Sequence, residues 1–423
     1  MDTKRGYKYR LYPSKRQLDK LSTQLNLCKD VYNKLLESCI EAYKKDSSFR
    51  INRKSLNSLL NKIKEENPRL SGTYSQVLQN VFDRVIKAYE NFFRRVEEGN
   101  QKPGFPKFKQ HYKSITYPQN NGSFKLKGNK LLLSKIGEIP IVLHRKIEGD
   151  IKTLTVERNR ANQWFAVFSA EKEEKDAVAA DPKEQKEVGI DRGLISLVAV
   201  SDGTKVAAPK FFRKAEERLK LRQRQASKKK KGSNNRRKAV KKLAKQYFKV
   251  TNQREDFLHK LTVMLLRNYT FIAVEKLLVD NMKRNHNYAK SISDAAWSKF
   301  LQLLKYKAES AGIQVIEVNP EYTSQECSDC GYRLMKEERL DKSDRIFKCP
   351  KCGLEMDRDV NAAINILKEG ILKRARAGLA QSNAGGEEAS VSDKADASIV
   401  EETGTIGPKE GRKPPKKDGS PRL

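Results

Sequence analysis

Four cysteines and three carboxylates are the residues of this chain whose types and placement could do chemistry. Cys327/Cys330 and Cys349/Cys352 form two CxxC pairs separated by the eighteen residues 331–348. Two dithiol turns at that distance can close a tetrahedron around Zn2+. Four thiolates leave no coordination position open, so the spacing predicts a structural zinc ribbon rather than a zinc catalyst. The carboxylates are scattered. Asp191 interrupts the apolar run VGIDRGLISLVAV (188–200), Glu275 ends FIAVE (271–275), and Asp359 opens an amphipathic segment bearing Ala362, Ala363, Ile366 and Leu367. A charge within a Val/Ile/Leu strand is costly without a cation or partner. Three such groups, on two strands and a helix start, suit a pair of divalent cations sharing an in-line phosphodiester displacement. One cation activates water and the other takes up charge on the departing 3′ oxygen. An all-oxygen ligand set that retains waters favours Mg2+. For Asp191 the plainer alternative is a strand-end salt bridge with the adjacent Arg192, and Asp357 competes with Asp359. Asp357 is expected to be the helix N-cap, leaving Asp359 to face the sheet. His111, His144, His259 and His286 show no ligand or triad spacing.

The elements that must position these groups can be read along the chain. The segment 7–12 (YKYRLY) alternates aromatic or aliphatic with basic residues and stops at Pro13, as a short strand would. Ser14 is expected to cap a helix through about Lys44, followed by helices near 52–66 and over 75–97. The apolar stripe of the third helix suits a bundle core, and its other face offers Gln76, Gln79, Asn80, Arg84 and Lys87 to DNA. The segment 101–117 interleaves lysines with Phe105, Phe108, Tyr112 and Tyr117 on a Pro/Gly-broken backbone. That texture suits phosphate contact and base stacking, or equally a linker with buried aromatics. Short alternating runs over 124–169 predict an antiparallel series, a small barrel completed by the N-terminal strand. Residues 171–185 read as a linker, and 212–247 as two basic helices hinged around 231–234 and facing phosphate. A helix over 253–268, a strand over 271–274, a helix capped by Ser293 or Asp294 and ending at Ser310, and a strand over 313–318 lead to the cysteines. Beyond Ile371 the composition predicts disorder.

The charge narrows the choice of partner. With 87 Lys+Arg against 53 Asp+Glu the chain carries a net charge of +34, and 37% hydrophobic content still allows more than one modest core. Self-repulsion on that scale calls for a polyanion, and nucleic acid is the natural one because each neutralised phosphate releases a counterion. An anionic membrane is the competing surface, but no lipidation motif, signal peptide or apolar run near eighteen residues accompanies the charge. The expectation is a cytoplasmic protein whose thiols bind metal, with Cys28 and Cys39 as inert core thiols.

Taken together, GIDRGL (189–194), FIAVEKL (271–277), EYTSQECSDCG (321–331), KCPKCG (348–353) and DRDVNAAINIL (357–367) resemble TnpB, the transposon-encoded family ancestral to type V CRISPR nucleases. KYRLYPSKRQ, KPGFPKFK, IGEIPIVLHR and SNNRRKA extend the resemblance over roughly residues 5–370. It implies a multidomain α+β and α/β chain. A β-barrel wedge domain (1–12 and 103–180) would hold a helical recognition insertion (13–102). An RNase H-like RuvC domain (186–322 and 355–370) would carry a basic helical hairpin (211–250) and a zinc-ribbon insertion (323–354) that binds target nucleic acid. A disordered tail (371–423) would follow. The resemblance further implies a guide RNA from the transposon right end and cleavage of double-stranded DNA beside a transposon-adjacent motif. Asp191, Glu275 and Asp359 fall on its Mg2+-binding catalytic triad, and the chain would act as a monomer in its complex. Gln76, Gln79, Asn80, Lys107 and Thr116 are the expected motif readers, and Lys229, Arg236 and Arg237 the expected hairpin contacts. The alternatives are a nuclease-inactive nucleic-acid-binding regulator and an unguided RNase H-type junction nuclease.

Overall fold

The computed structural model describes residues 2–45, 53–99, 103–118, 122–173, 186–277, 282, 284, 286–319, 321–341 and 344–383. In the N-terminal half, β1 (Asp2–Leu11) is followed by α1 (Lys15–Lys45), α2 (Arg53–Glu66) and α3 (Ser75–Glu97). Six strands come next: β2 (Ser114–Tyr117), β3 (Phe124–Lys127), β4 (Lys130–Leu133), β5 (Gly137–Val142), β6 (Asp150–Arg158) and β7 (Trp164–Glu173). They form one antiparallel sheet in the order β2-β6-β7-β1-β5-β4-β3. The chain's first strand is therefore interior, paired with β7 from Asp2↔Glu173 to Leu11↔Trp164 and with β5 at Arg10↔Val142.

The entry to α1 is set by local chemistry. Gln17 N–H donates to Ser14 Oγ (3.4 Å) and Ser14 N–H donates to Gln17 Oε1 (2.9 Å), a reciprocal cap. The apolar faces of α1 and α3 share one continuous core with the sheet, in which Leu25, Val31, Val81 and Val85 meet Tyr9, Tyr117 and Phe168. Of the four aromatics in 101–117, three belong to this core. Tyr112 and Tyr117 are buried, and Phe105 packs edge-on against Phe92 at 4.9 Å. Phe108 alone of the four stays exposed, so base stacking across the whole segment is ruled out, and its end is the strand β2 rather than irregular backbone.

The C-terminal half contains β8 (Glu187–Asp191), β9 (Ser196–Val200), β10 (Lys205–Ala207), α4 (Phe211–Ser227), α5 (Asn234–Asn268) and β11 (Phe271–Glu275). After these come α6 (His286–Ala295), α7 (Trp297–Ser310), β12 (Gln314–Val318), β13 (Ile346–Lys348), β14 (Glu355–Asp357) and α8 (Arg358–Asn383). The sheet order is β10-β9-β8-β11-β12, with β9 antiparallel to β8 and β11 parallel to both β8 and β12.

Four sequence expectations change here. The second basic helix does not stop near 250 but continues as the single 35-residue α5, because Leu258, Leu261 and Leu265 extend its stripe into the core. Its N-cap is Ser233, whose Oγ accepts from Arg236 N–H at 3.1 Å. The helix expected through Ser310 is broken at Ala296, which adopts a left-handed φ of 53°. Asp294 caps neither piece. Its buried carboxylate accepts from Phe212 N–H (3.0 Å) at the start of α4 and pairs with Arg254 (2.9 Å). The tail expected from residue 371 begins as helix, since α8 continues to Asn383; residues 375–383 are the described part of a second unit, and the rest of the expected tail, 384–423, lies outside the described residues. Likewise β7 occupies the first residues of the expected linker, whose remainder, 174–185, is outside them. Among the described residues no helix is long and apolar enough to cross a membrane.

Candidate carboxylate cleft and cysteine cluster

Parallel pairing brings the first two carboxylates together. Ile190 of β8 is in register with Val274 of β11, so the next residues, Asp191 and Glu275, end neighbouring strands at the same edge of the sheet. The third arrives on α8, and two glycines let that helix lie directly on the sheet. A Cβ on Gly189 would sit 1.9 Å from Ala363 O and 2.6 Å from Leu367 N, and one on Gly370 would sit 2.4 Å from Ala273 Cβ. Gly189 shares its face of β8 with Asp191, two residues on, so the face that accepts the helix is the face that bears the carboxylate.

Asp357 proves to be the N-cap of α8. Its Oδ1 accepts from Asp359 N–H (3.0 Å) and Val360 N–H (3.2 Å), which leaves Asp359 in the first helical turn. Asp191, Glu275 and Asp359, together with Thr323, Ser324, Arg345, Arg358 and Ala362, line a cleft of about 230 Å³. Thr323 Oγ1 donates to Glu275 Oε1 at 3.4 Å. The plainer alternative for Asp191, a strand-end salt bridge with Arg192, is not what forms. Arg192 is buried, and its Nη2 donates to the Glu275 backbone carbonyl, tying the end of β8 to the end of β11.

Burial pushes the Asp191 carboxyl up to about 7, and the negative charges of Glu275 and Asp359 add to the rise. Burial also raises Glu275, partly offset by the Arg192 guanidinium. Carboxylates that resist ionising side by side suit divalent cations, which would neutralise them. Among the described residues, only the cysteine cluster brings all the ligand atoms of three or more candidate side chains within 4.8 Å of one another.

The four cysteine Sγ atoms do converge, with Cys327–Cys352 and Cys330–Cys349 each at 3.6 Å. Zn–S bonds of about 2.3 Å arranged as a tetrahedron call for sulfurs about 3.8 Å apart, so the residues fit zinc. Each pair is held by the same turn. Gly331 N–H donates to Cys327 O and Gly353 N–H to Cys349 O, both at 3.0 Å, with φ of 70° and 75° at the glycines. Burial raises the Cys349 thiol, but the backbone N–H groups of Cys352 and Lys351 outweigh it and leave the group lowered, while its neighbours Cys327 and Cys352 are raised, as crowded thiols sharing one site would be.

Three polar residues that the sequence reading passed over join the cluster to the cleft. Asn361 is fully buried; its Oδ1 accepts from Ser328 N–H (2.9 Å) and its Nδ2 donates to Glu326 O (2.7 Å). Asn365 Nδ2 donates to Thr323 O (2.9 Å) and Glu326 O (2.8 Å), and Lys368 reaches Ser328 O. Their i, i+4, i+7 spacing, interrupting the apolar residues of 360–367 and continuing just beyond them, was the available signal.

The expected nucleic-acid contacts divide. Asn80 Oδ1 accepts from Arg84 Nε (3.0 Å) and Thr116 Oγ1 from Arg84 Nη2 (2.8 Å), with Thr116 also bonded to Thr155 (2.8 Å). Both are engaged within the fold, as is Arg236, whose Nη1 caps the end of α4 at Ala226 O (3.2 Å) and Lys229 O (3.0 Å). Gln76 is half-buried on α3, while Gln79, Lys107, Lys229 and Arg237 are exposed. Arg84 thus gathers α3 and β2 into one place, while Lys229, Arg236 and Arg237 lie at the separate α4–α5 turn.

Three family models match the chain: "Probable transposase" over residues 167–286, "Cas12f1-like, TNB domain" over 297–366 and "Helix-turn-helix domain" over 1–48. Where the last one matches, the described residues form one strand and one helix. A "Putative RNA-guided DNA endonuclease" of Streptomyces pristinaespiralis is 35% identical over 375 residues, 87% of this chain and 90% of that protein. The "Putative RNA-guided DNA endonuclease InsQ" of Escherichia coli (strain K12) is 30% identical over 383 residues, covering 86% and 92%. The "CRISPR-associated endodeoxyribonuclease Cas12f1" of Sulfoacidibacillus thermotolerans is 49% identical over 69 residues, 15% of each chain.

Proposed function

This chain belongs to the TnpB family, and on that premise we propose that it is an RNA-guided, Mg2+-dependent DNA endonuclease cutting double-stranded target DNA beside a short transposon-adjacent motif. The observation that carries the reading is the meeting of Asp191, Glu275 and Asp359, from three distant segments, in one cleft. The sheet order β10-β9-β8-β11-β12, with Asp191 and Glu275 at the ends of its central strand and that strand's parallel neighbour, supports an RNase H-like RuvC domain.

Asp191, Glu275 and Asp359 would hold two Mg2+ ions, which supply water activation and stabilise charge on the leaving oxygen. Thr323 fixes the Glu275 carboxylate, Arg192 anchors the backbone beneath it, and Arg345 and Arg358 place positive charge where a phosphodiester must enter. Cys327, Cys330, Cys349 and Cys352 would hold a structural Zn2+. The net charge of +34 suits a protein that grips a guide–target heteroduplex by its backbone and leaves sequence reading to base pairing.

The test is to purify the full chain with the RNA it retains, sequence that RNA, and assay cleavage of matching DNA. One dominant RNA matching the flanking DNA, with cleavage that Asp191→Asn lowers by about 10³-fold or more at unchanged target binding, is the expected result; several kcal/mol of metal-dependent stabilisation corresponds to that factor. Cleavage with a random RNA pool would point instead to an unguided junction nuclease, and guide-dependent binding without cleavage to a regulator.

A further inference from the structure

We infer that Asp357 is a guard residue, holding the Lys205 ammonium off Asp359 and so keeping the third carboxylate of the cleft open to divalent cations. The inference rests on the cleft being a cation site, as proposed above.

Lys205 begins β10, the strand paired to the far side of β9, and its Nζ forms an ion pair with Asp357 while standing 3.9 Å from Asp359 Oδ2. One ammonium thus has two carboxylates within reach, and only Asp359 lines the cleft. Geometry explains which one holds it. The N–H groups of Asp359 and Val360 fix Asp357 Oδ1, so the carboxylate plane is locked and Oδ2 is turned to Lys205. One side chain therefore does two jobs with its two oxygens, helix cap and cation anchor. Without the anchor, the ammonium would settle on the remaining carboxylate and compete with a divalent cation for the same oxygens.

The two jobs can be separated, because Asp357→Asn keeps an oxygen for the cap and replaces the anchoring oxygen with an NH2 group that repels Lys205. Binding of Mn2+ to the full chain, read from the loss of the free-ion EPR signal, requires neither guide nor cleavage. Asp357→Asn should weaken Mn2+ binding about tenfold, a change of about 1.4 kcal/mol. Adding Lys205→Met should return binding to within about twofold of wild type, whereas adding Lys205→Arg should leave it weak, because the competing cation remains. A purely structural role predicts otherwise, since deleting Lys205 cannot repair a damaged helix start. Unchanged binding in Asp357→Asn, or failure of Lys205→Met to restore it, overturns the inference alone when Asp191→Asn still abolishes Mn2+ binding. If Asp191→Asn and wild type bind Mn2+ equally, the cleft is not a cation site, and the inference falls together with the reading beneath it.

Discussion

The cysteine cluster and the carboxylate cleft share α8 and the loop that it clamps, yet they are assembled on different length scales. The cysteines come from 327–352, a segment that folds its two turns locally, each with a glycine just beyond its second cysteine. The carboxylates come from residues 191, 275 and 359, and they meet only because β8 pairs with β11 and α8 crosses both strands. The difference teaches where each site's stability resides. The cysteine segment has only a small core of its own (Leu334 and Phe347 among the cysteines), so on the proposed reading a bound zinc would supply much of its stability, whereas the cleft sits on a sheet with a larger apolar core.

That contrast can be broken by removing each support in turn. The largest effect is expected from Cys349→Ser, because structural zinc contributes on the order of 10 kcal/mol to small domains of this kind. Zinc content should fall from about one ion per chain towards zero. Amide exchange should accelerate across 344–357 while β8 and β11 keep their protection; equal loss in the sheet would show that the two sites are not separately supported. Gly189→Ala is the converse. The new Cβ would have to force α8 from the sheet, at a cost of about 3 kcal/mol or more. Mn2+ binding in the cleft should be lost with zinc retained, and thermal melting with metal analysis checks both. Asn361→Ala removes the tether between the sites and strands Ser328 N–H, a loss of about 2 kcal/mol. Exchange at 326–330 should rise with zinc content unchanged. Thr323→Val tests the finest link and should cost less than about 1 kcal/mol in melting, with at most a small loss in cleavage rate.

Much of this could be read before any coordinates. The stripe over 75–97 matches α3, the short runs over 124–169 are real antiparallel strands, and Asp357 takes the capping place expected of it. Local signals failed where distant partners set the outcome. Tyr112 and Tyr117 look like bases' partners in a lysine-rich stretch, but α1, α3 and β2 enclose them. Thr116 and Asn80 resemble exposed readers until Arg84 joins them. Asp294 has the pattern of a cap for its own helix and instead caps one that starts more than eighty residues earlier.

By itself the sequence determined the two CxxC pairs that converge, the identities of the three carboxylates, the helix that presents the third, and a net charge of +34 that suits a polyanionic partner. Those features depend on neighbours along the chain, through turn geometry, capping and composition. Only the tertiary structure decided that Asp191, Glu275 and Asp359 share a cleft, that Arg192 bonds the Glu275 backbone carbonyl, and that Asn361 and Asn365 bind the cysteine segment to the same helix. It also decided that Lys205 stands between two carboxylates and pairs with the one outside the cleft. The physical reason is register. Which residues end side by side follows from strand pairing and from the two glycines that let α8 touch the sheet, and no local spacing encodes that pairing.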